Sequence, residues 1–456
     1  MSTDDKPKHI SRRRKFPTFN RSTTSSPLQQ VEVDFFQAVT GNDNDVHASP
    51  ENVQAALCLL KRCVRGNWPA EFDDVVTDDV SVQTESYLKA IVTGQKVADT
   101  FRMHGGLSIV RLIKQLQADR VFKDDEDLPS NLSARRLVFN TIGWISMLYQ
   151  PSHGLTRTPG SNNFKIAVQS RQSSLKSSVP AEKAERPLDE LLRACAGMFA
   201  IRSQIQKVDE RNGSQDHLER KIQVSYLNAH VMKTLANMEF IWVDSISAHL
   251  DFDPTTPSVS IFRCPSFCKL HQSEESILAK MFVNMDEETE QPSNKFSAQN
   301  FVGEMQVTYR LLFRDDSRAR KLYIQQERSR AALAVDDYEA TVDPYLDELC
   351  GKNLPNSWWF SLGASVRDSY DAEADFPIFK DRLKRIQDYM HGIQPNRFTS
   401  LWRDRRDLRL WYTIWTVIIL GIIGLIAQFI GLALSAAQVS IAQKAYAAQL
   451  KQNQYT

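Results

Sequence analysis

The sequence predicts a mainly α-helical protein: a helical soluble domain with a small inserted β-hairpin, followed by a single C-terminal transmembrane helix. Three observations predict it. Apolar residues recur at three- and four-residue spacing in most long segments between residues 31 and 395, the signature of amphipathic helices. A lone alternating stretch surrounds Pro254-Thr255-Thr256-Pro257, as in a strand, a turn and a second strand. Leu410–Gln443 contains no charged residue, a length that soluble helices rarely sustain.

Residues 1–30 are rich in Ser, Thr and Pro and carry Lys6, Lys8, Arg12, Arg13, Arg14, Lys15 and Arg21 against Asp4 and Asp5. Such a composition cannot bury enough apolar surface to fold, so a disordered basic N-terminus is expected. It lacks the apolar run of a secretory signal peptide. With a net charge of +1, the head holds +5 and the remainder −4, which argues against nucleic acid as a partner. Cys58, Cys63, Cys195, Cys264, Cys268 and Cys350 are too sparse for a disulfide scaffold and suggest a reducing compartment.

The helical N-terminal part is expected over 31–150. Ser49-Pro50-Glu51 supplies a cap and a first-turn proline, and Val53, Ala56, Leu57, Leu60 and Val64 then share one face. Tyr87–Met103, Leu107–Leu116 and Leu132–Leu148 repeat the pattern. Residues 151–186 read as a loop or linker insertion with a brief strand-like run, Phe164–Val168. A second helical part, 187–395, is expected to hold helices at Leu188–Val208, Ile222–Leu250, Phe301–Phe313, Leu322–Leu349 and Pro377–Met390. The hairpin falls near 250–263, and Trp358-Trp359-Phe360 is a candidate packing anchor.

Residues 396–410 form a basic juxtamembrane neck, 411–434 the span and 435–456 a short polar tail. At about 1.5 Å per residue the span reaches about 36 Å, enough for a hydrocarbon core of about 30 Å. Trp411, Tyr412 and Trp415 stand at the entry, where aromatic rings favour the headgroup layer, and Gly424 and Gly431 lie within. Arg403, Arg405, Arg406 and Arg409, with Arg397, precede the span; only Lys444 and Lys451 follow it. The positive-inside rule then keeps the N-terminal domain cytosolic. The length favours endomembranes or the plasma membrane over the mitochondrial outer membrane, and insertion after synthesis, as a tail-anchored protein, is expected. Besides the lipid bilayer, partners include a second helix. Ala427, Gly431 and Ser435 form a small-residue stripe beside Gln428, a pattern that permits close helix packing and self- or hetero-association.

Chemistry-bearing residues are densest between 249 and 271. Asp251-Phe252-Asp253 is a D-x-D, able to place two carboxylates on one strand face as metal chelation requires, and His249 adjoins it. Cys264, Cys268 and His271 offer a second set of metal-ligand types, although their spacing departs from that of structural zinc sites. No G-x-S-x-G, H-E-x-x-H, Walker or dinucleotide-binding signature is present, and no cofactor is implied. The expectation is therefore a non-enzymatic interaction or scaffold module. Its alternative is a metal-dependent enzyme, such as a sugar-nucleotide transferase, built on His249, Asp251 and Asp253. In that case a lumenal domain would make the N-x-S sequons at Asn20, Asn131 and Asn212 eligible for glycans.

Ser245–Cys268 (SISAHLDFDPTTPSVSIFRCPSFC), Val307–Phe313 (VTYRLLF) and Leu401–Trp415 (LWRDRRDLRLWYTIW) occur in that order. Together they resemble blocks shared by a group of uncharacterised filamentous-fungal proteins with a C-terminal transmembrane helix. The resemblance covers most of the chain from about residue 30 and is weakest in the 151–186 insertion. It implies a helical domain followed by one membrane helix. The group has no assigned activity, so the resemblance implies no catalytic residue.

Overall fold

The computed structural model describes residues 27–41, 49–64, 68–77, 86–104, 107–152, 162–167, 178–188, 190–191, 221–283, 298–335, 338–351, 367–393 and 408–452. Among the described residues, five α-helices build the first part: α1 (Pro27–Thr40), α2 (Pro50–Val64), α3 (Ser86–His104), α4 (Ile109–Ala118) and α5 (Leu132–Ser146). The first begins four residues before the expected start of order. Residues 1–26, Trp358-Trp359-Phe360 and Cys195 lie outside the described residues.

Local chemistry explains where these helices start and stop. Ser108 accepts from the Arg111 N–H and so caps α4. Asn131 accepts from the N–H groups of Ser133 and Ala134 and caps α5, satisfying donors that a helix start leaves orphaned. Met147, at φ 51°, turns the chain out of α5, and Ile246 and Ser247 then donate to the freed carbonyls of Met147 and Leu148. That junction joins the first part to the second. Its consequence is a continuous core that runs from Phe35 through Trp144 and Phe262 to Met390.

The insertion packs against this core. β1 (Asn163–Lys165) pairs antiparallel with β2 (Ser178–Pro180), and buried Phe164 stacks on Phe139 with ring centroids 4.5 Å apart. A linker would leave such a ring in water; here burial anchors the segment to α5.

Two segments expected as long helices are broken, and in both a strand replaces the middle. Ile222–Leu250 comprises β3 (Lys221–Gln223), a single turn at Val224–Leu227, a helix at Ala229–Leu235 and β4 (Glu239–Val243). Asn237 at φ 50° makes the break, a backbone conformation that Asn tolerates better than most residues. Phe-Ile-Trp-Val then favours a pleated surface. Leu322–Leu349 divides into a π-helical turn (Tyr323–Glu327), a helical turn (Arg328–Ala331), the pair β7 (Leu333–Val335) and β8 (Tyr338–Thr341), and a helix at Pro344–Leu349.

The expected hairpin is present: β5 (Phe252–Asp253) pairs antiparallel with β6 (Ser258–Phe262). It is part of a three-stranded sheet, because β4 lies parallel to β6 on the other edge. All five β6 residues are buried, which a central strand covered on both faces requires. The Lys380–Gly392 helix closes over this sheet; Tyr389 packs edge-on against Phe252 at 5.0 Å.

Leu408–Gln452 is a continuous helix, about 68 Å long at 1.5 Å per residue. It is nearly twice the length of the expected span, because the Ala- and Gln-rich continuation beyond Leu434 has high helix propensity.

Candidate functional site

The residues singled out between 249 and 271 are buried in the fold, and most of them are held there by structural bonds. The His249 ring is fully buried, accepts the Phe262 N–H on Nδ1 at 3.2 Å and meets the Thr308 hydroxyl through Nε2 at 2.8 Å. That pattern assigns the ring proton to Nε2 and leaves no lone pair for a metal. Burial, reinforced by the Arg382 charge, pushes the pKa of His249 down to about 3, so it is a neutral strut between β6 and the Ala298–Tyr309 helix.

The D-x-D pair does not converge on a shared site. Asp253 accepts from the N–H and hydroxyl groups of both Thr255 and Thr256, which shapes the turn between β5 and β6. Buried Asp251 lies close enough to Arg382 to favour its positive charge. Arg382 donates in turn to the Ser247 and His249 carbonyls, latching the Lys380–Gly392 helix to the sheet.

Cys264 and Cys268 are buried free thiols, and burial raises both pKa values far above neutrality. The Cys264 thiol is hydrogen-bonded to the buried Asp343 carboxylate. His271 is buried against Phe267 at 4.4 Å, with neither ring nitrogen hydrogen-bonded; burial lowers its pKa to about 3. Among the described residues, no three His, Cys, Asp or Glu side chains come together to hold a metal ion.

The structure instead assembles charged clusters that periodicity does not reveal. Glu327 is fully buried at the end of a π-helical turn, where it accepts from Lys233 Nζ at 2.6 Å, Arg330 Nη1 at 3.1 Å and Trp242 Nε1 at 3.3 Å. Asp347 accepts a two-pronged contact from Arg328 at 2.8–3.0 Å and the Tyr323 hydroxyl at 2.9 Å. Asp315, beside the other π-helical turn at Arg310–Arg314, pairs with Arg310 at 3.0 Å and Tyr370. Each extra residue in a π-turn rotates the side chains that follow. Asp315 and Glu327 are thereby turned inward beside the two π-helical turns.

One open cleft of about 600 Å³ lies beside α3, lined by Lys96, Asp99, Thr100, Arg102, Met103, Asp119 and Glu275. Its far wall is fixed by Gly41 at φ 70°, where an added Cβ would stand 2.5 Å from the Glu275 backbone. Only glycine permits that approach, and it sets the 275 loop against the end of α1.

The other conspicuous surface is the C-terminal helix. Among the described residues, the large apolar side chains that stand exposed are Val33, Met103 and Ile324; all the others lie between Tyr412 and Tyr446. The most apolar window of Tyr412–Ala448 has a mean hydropathy of 2.7 and none of it is buried by the rest of the protein. Thr416 and Ser435 donate their hydroxyls to the helix's own carbonyls at Tyr412 and Gly431, hiding polar groups as an apolar surrounding demands. Ala427, Gln428, Gly431 and Ser435 are exposed along it. Of the basic neck, Arg403, Arg405 and Arg406 lie outside the described residues, and helical backbone is described from Leu408 onward.

These features define a class: a mainly helical protein with one C-terminal helix long and apolar enough to cross a membrane. No family model, no curated protein and no solved structure matches the chain.

Proposed function

We propose that this chain is a single-pass membrane protein whose helical domain is a non-enzymatic interaction module on the cytosolic face. One observation carries the reading: a long apolar helix whose most apolar stretch receives no cover from the domain beside it. A soluble core helix buries its apolar stripe against its own protein. An entire apolar circumference left bare is stable only in a medium as apolar as itself, and about 20 residues satisfy a bilayer.

Sidedness rests on charge. Arg397, Arg403, Arg405, Arg406 and Arg409 on one side of the span outnumber Lys444 and Lys451 on the other, and the same arginines favour anionic headgroups. Gln428 at mid-depth gains a hydrogen-bond partner when a second helix packs along Ala427, Gly431 and Ser435. The interaction reading is supported by what the richest cluster of chemistry-bearing residues does: His249, Asp251, Asp253, Cys264 and Cys268 are committed to holding the fold.

The test is protease protection of the membrane-inserted protein with different tags at Met1 and Thr456. Digestion of the Met1 tag with protection of the Thr456 tag supports the proposal. The reverse pattern overturns the cytosolic placement, and release of the protein by alkaline carbonate overturns the membrane span itself. Glu in place of Arg403, Arg405, Arg406 and Arg409 is expected to weaken or invert insertion.

A further inference from the structure

The cleft beside α3 contains opposite charges that fail to pair. Asp99 and Arg102 stand three positions apart on one helix and line the same cavity, a spacing at which carboxylate and guanidinium ordinarily meet. Among the described residues Asp99 nonetheless has no hydrogen bond or ion pair. Burial raises its pKa despite the nearby charges of Lys96 and Arg102. Arg102 turns away, reaching the Ala38 carbonyl through Nη1 at 3.5 Å, and its Nε is buried without a partner.

Both groups thus hold unmet hydrogen-bonding capacity at the wall of a ligand-sized cavity. Desolvated, unpaired polar atoms oppose folding, so this arrangement is one that an added ligand relieves. The remaining lining repeats the two signs, with Lys96 on the same helix as Arg102, and Asp119 and Glu275 from other segments. Met103, 69% exposed, adds an apolar contact at the edge.

We propose that this cleft binds a small zwitterion, with its anionic group on Arg102 and Lys96 and its protonated amine on Asp99, flanked by Asp119 and Glu275. A phosphate joined to a primary amine by a short carbon chain matches this division of charge. It exists both as a free metabolite and as the headgroup of an aminophospholipid. The site stands independently of the membrane span, since every residue in it belongs to the helical domain.

The experiment is calorimetric titration of O-phosphoethanolamine into the full chain in maltoside micelles. Saturable binding is expected, weakened about ten- to a hundredfold by Asp99→Asn and by Arg102→Gln, as loss of a charge-assisted bond implies. Thermal unfolding of the two variants accompanies the titration. Asp99→Asn is expected to unfold no lower than the parent chain, because it removes an unpaired, partly buried charge. No binding at millimolar probe overturns the proposal, as does binding that both folded variants retain. Repeating the titration in phosphatidylcholine vesicles with and without phosphatidylethanolamine separates the sources. A weaker apparent affinity in the vesicles that contain phosphatidylethanolamine supports the headgroup, and an unchanged affinity supports the soluble zwitterion.

Discussion

Asp343 accepts hydrogen bonds from both the backbone N–H and the hydroxyl of Ser266, at 2.9 and 2.7 Å, across 77 positions of sequence. The same carboxylate accepts from the N–H groups of Tyr345 and Leu346. One buried side chain therefore caps the Pro344–Leu349 helix and also holds the first turn of the Pro265–Leu270 helix. Ser266 Oγ in turn lies 3.1 Å from the Asn52 side chain on α2. Three parts of the chain meet at this point.

Asp343→Ala removes every one of those acceptors and strands buried donors. A destabilisation of about 2–4 kcal/mol is expected, measurable by chemical denaturation of the full chain in detergent. A loss below about 0.5 kcal/mol would show that the two helices are held by packing alone.

Acid should unfold the domain through its buried histidines. His249 and His271 have pKa values near 3 in the folded chain against 6.5 when exposed. Between those values the unfolded chain binds more protons, so stability is fully present above about pH 6.5 and falls as pH drops towards 3. The slope is about 1.4 kcal/mol per pH unit for each histidine. His271→Leu, which replaces a ring lacking hydrogen bonds, is expected to flatten the slope of unfolding free energy against pH by one histidine's share.

The Glu327 cluster predicts an asymmetry. Lys233→Met leaves Glu327 buried with less compensation and should destabilise the domain by about 1–3 kcal/mol. Adding Glu327→Met removes the stranded charge, and the double variant is expected to recover much of that loss. A double-mutant cycle reads the coupling; strict additivity would mean that Arg330 and Trp242 alone satisfy Glu327.

Charge placed in the apolar helix should abolish membrane retention. Ile423→Arg and Ile426→Arg each cost about 2.5–3.5 kcal/mol at mid-span. The double variant is expected in the carbonate-soluble fraction, whereas Ile423→Leu with Ile426→Leu remains membrane-bound.

The broken helices show where local pattern ceases to suffice. The Ile222–Leu250 and Leu322–Leu349 stretches contain apolar residues at spacings that suit either period; the first has no proline, and in the second Pro344 stands at the start of the last helix. Asn237 followed by Phe-Ile-Trp-Val was a legible stop-and-strand signal. So was Val335-Asp336-Asp337-Tyr338, two turn-forming residues between apolar ones. The β4 strand forms because β6, closer to the chain's C-terminus, offers it a parallel edge, and no window of local sequence contains both partners.

The candidate site divides along the same line. The bare apolar helix is legible because spanning depends on length and composition within one segment. The Asp99–Arg102 cleft is not, because its lining also comes from residues 119 and 275, distant in sequence, and Gly41 reveals its purpose only against the Glu275 backbone.

The sequence by itself determined the helical class, the 250–263 hairpin, the helix start at Ser49-Pro50, and the apolar C-terminal helix. Each depends on side-chain chemistry within a few turns of backbone. Only the tertiary structure decided that His249 is a strut, that Asp253 shapes a turn, and that Glu327 and Asp343 are buried and satisfied. A titratable residue's role depends on which distant donors reach it and how much water they displace, and those distances exist only once the chain has folded.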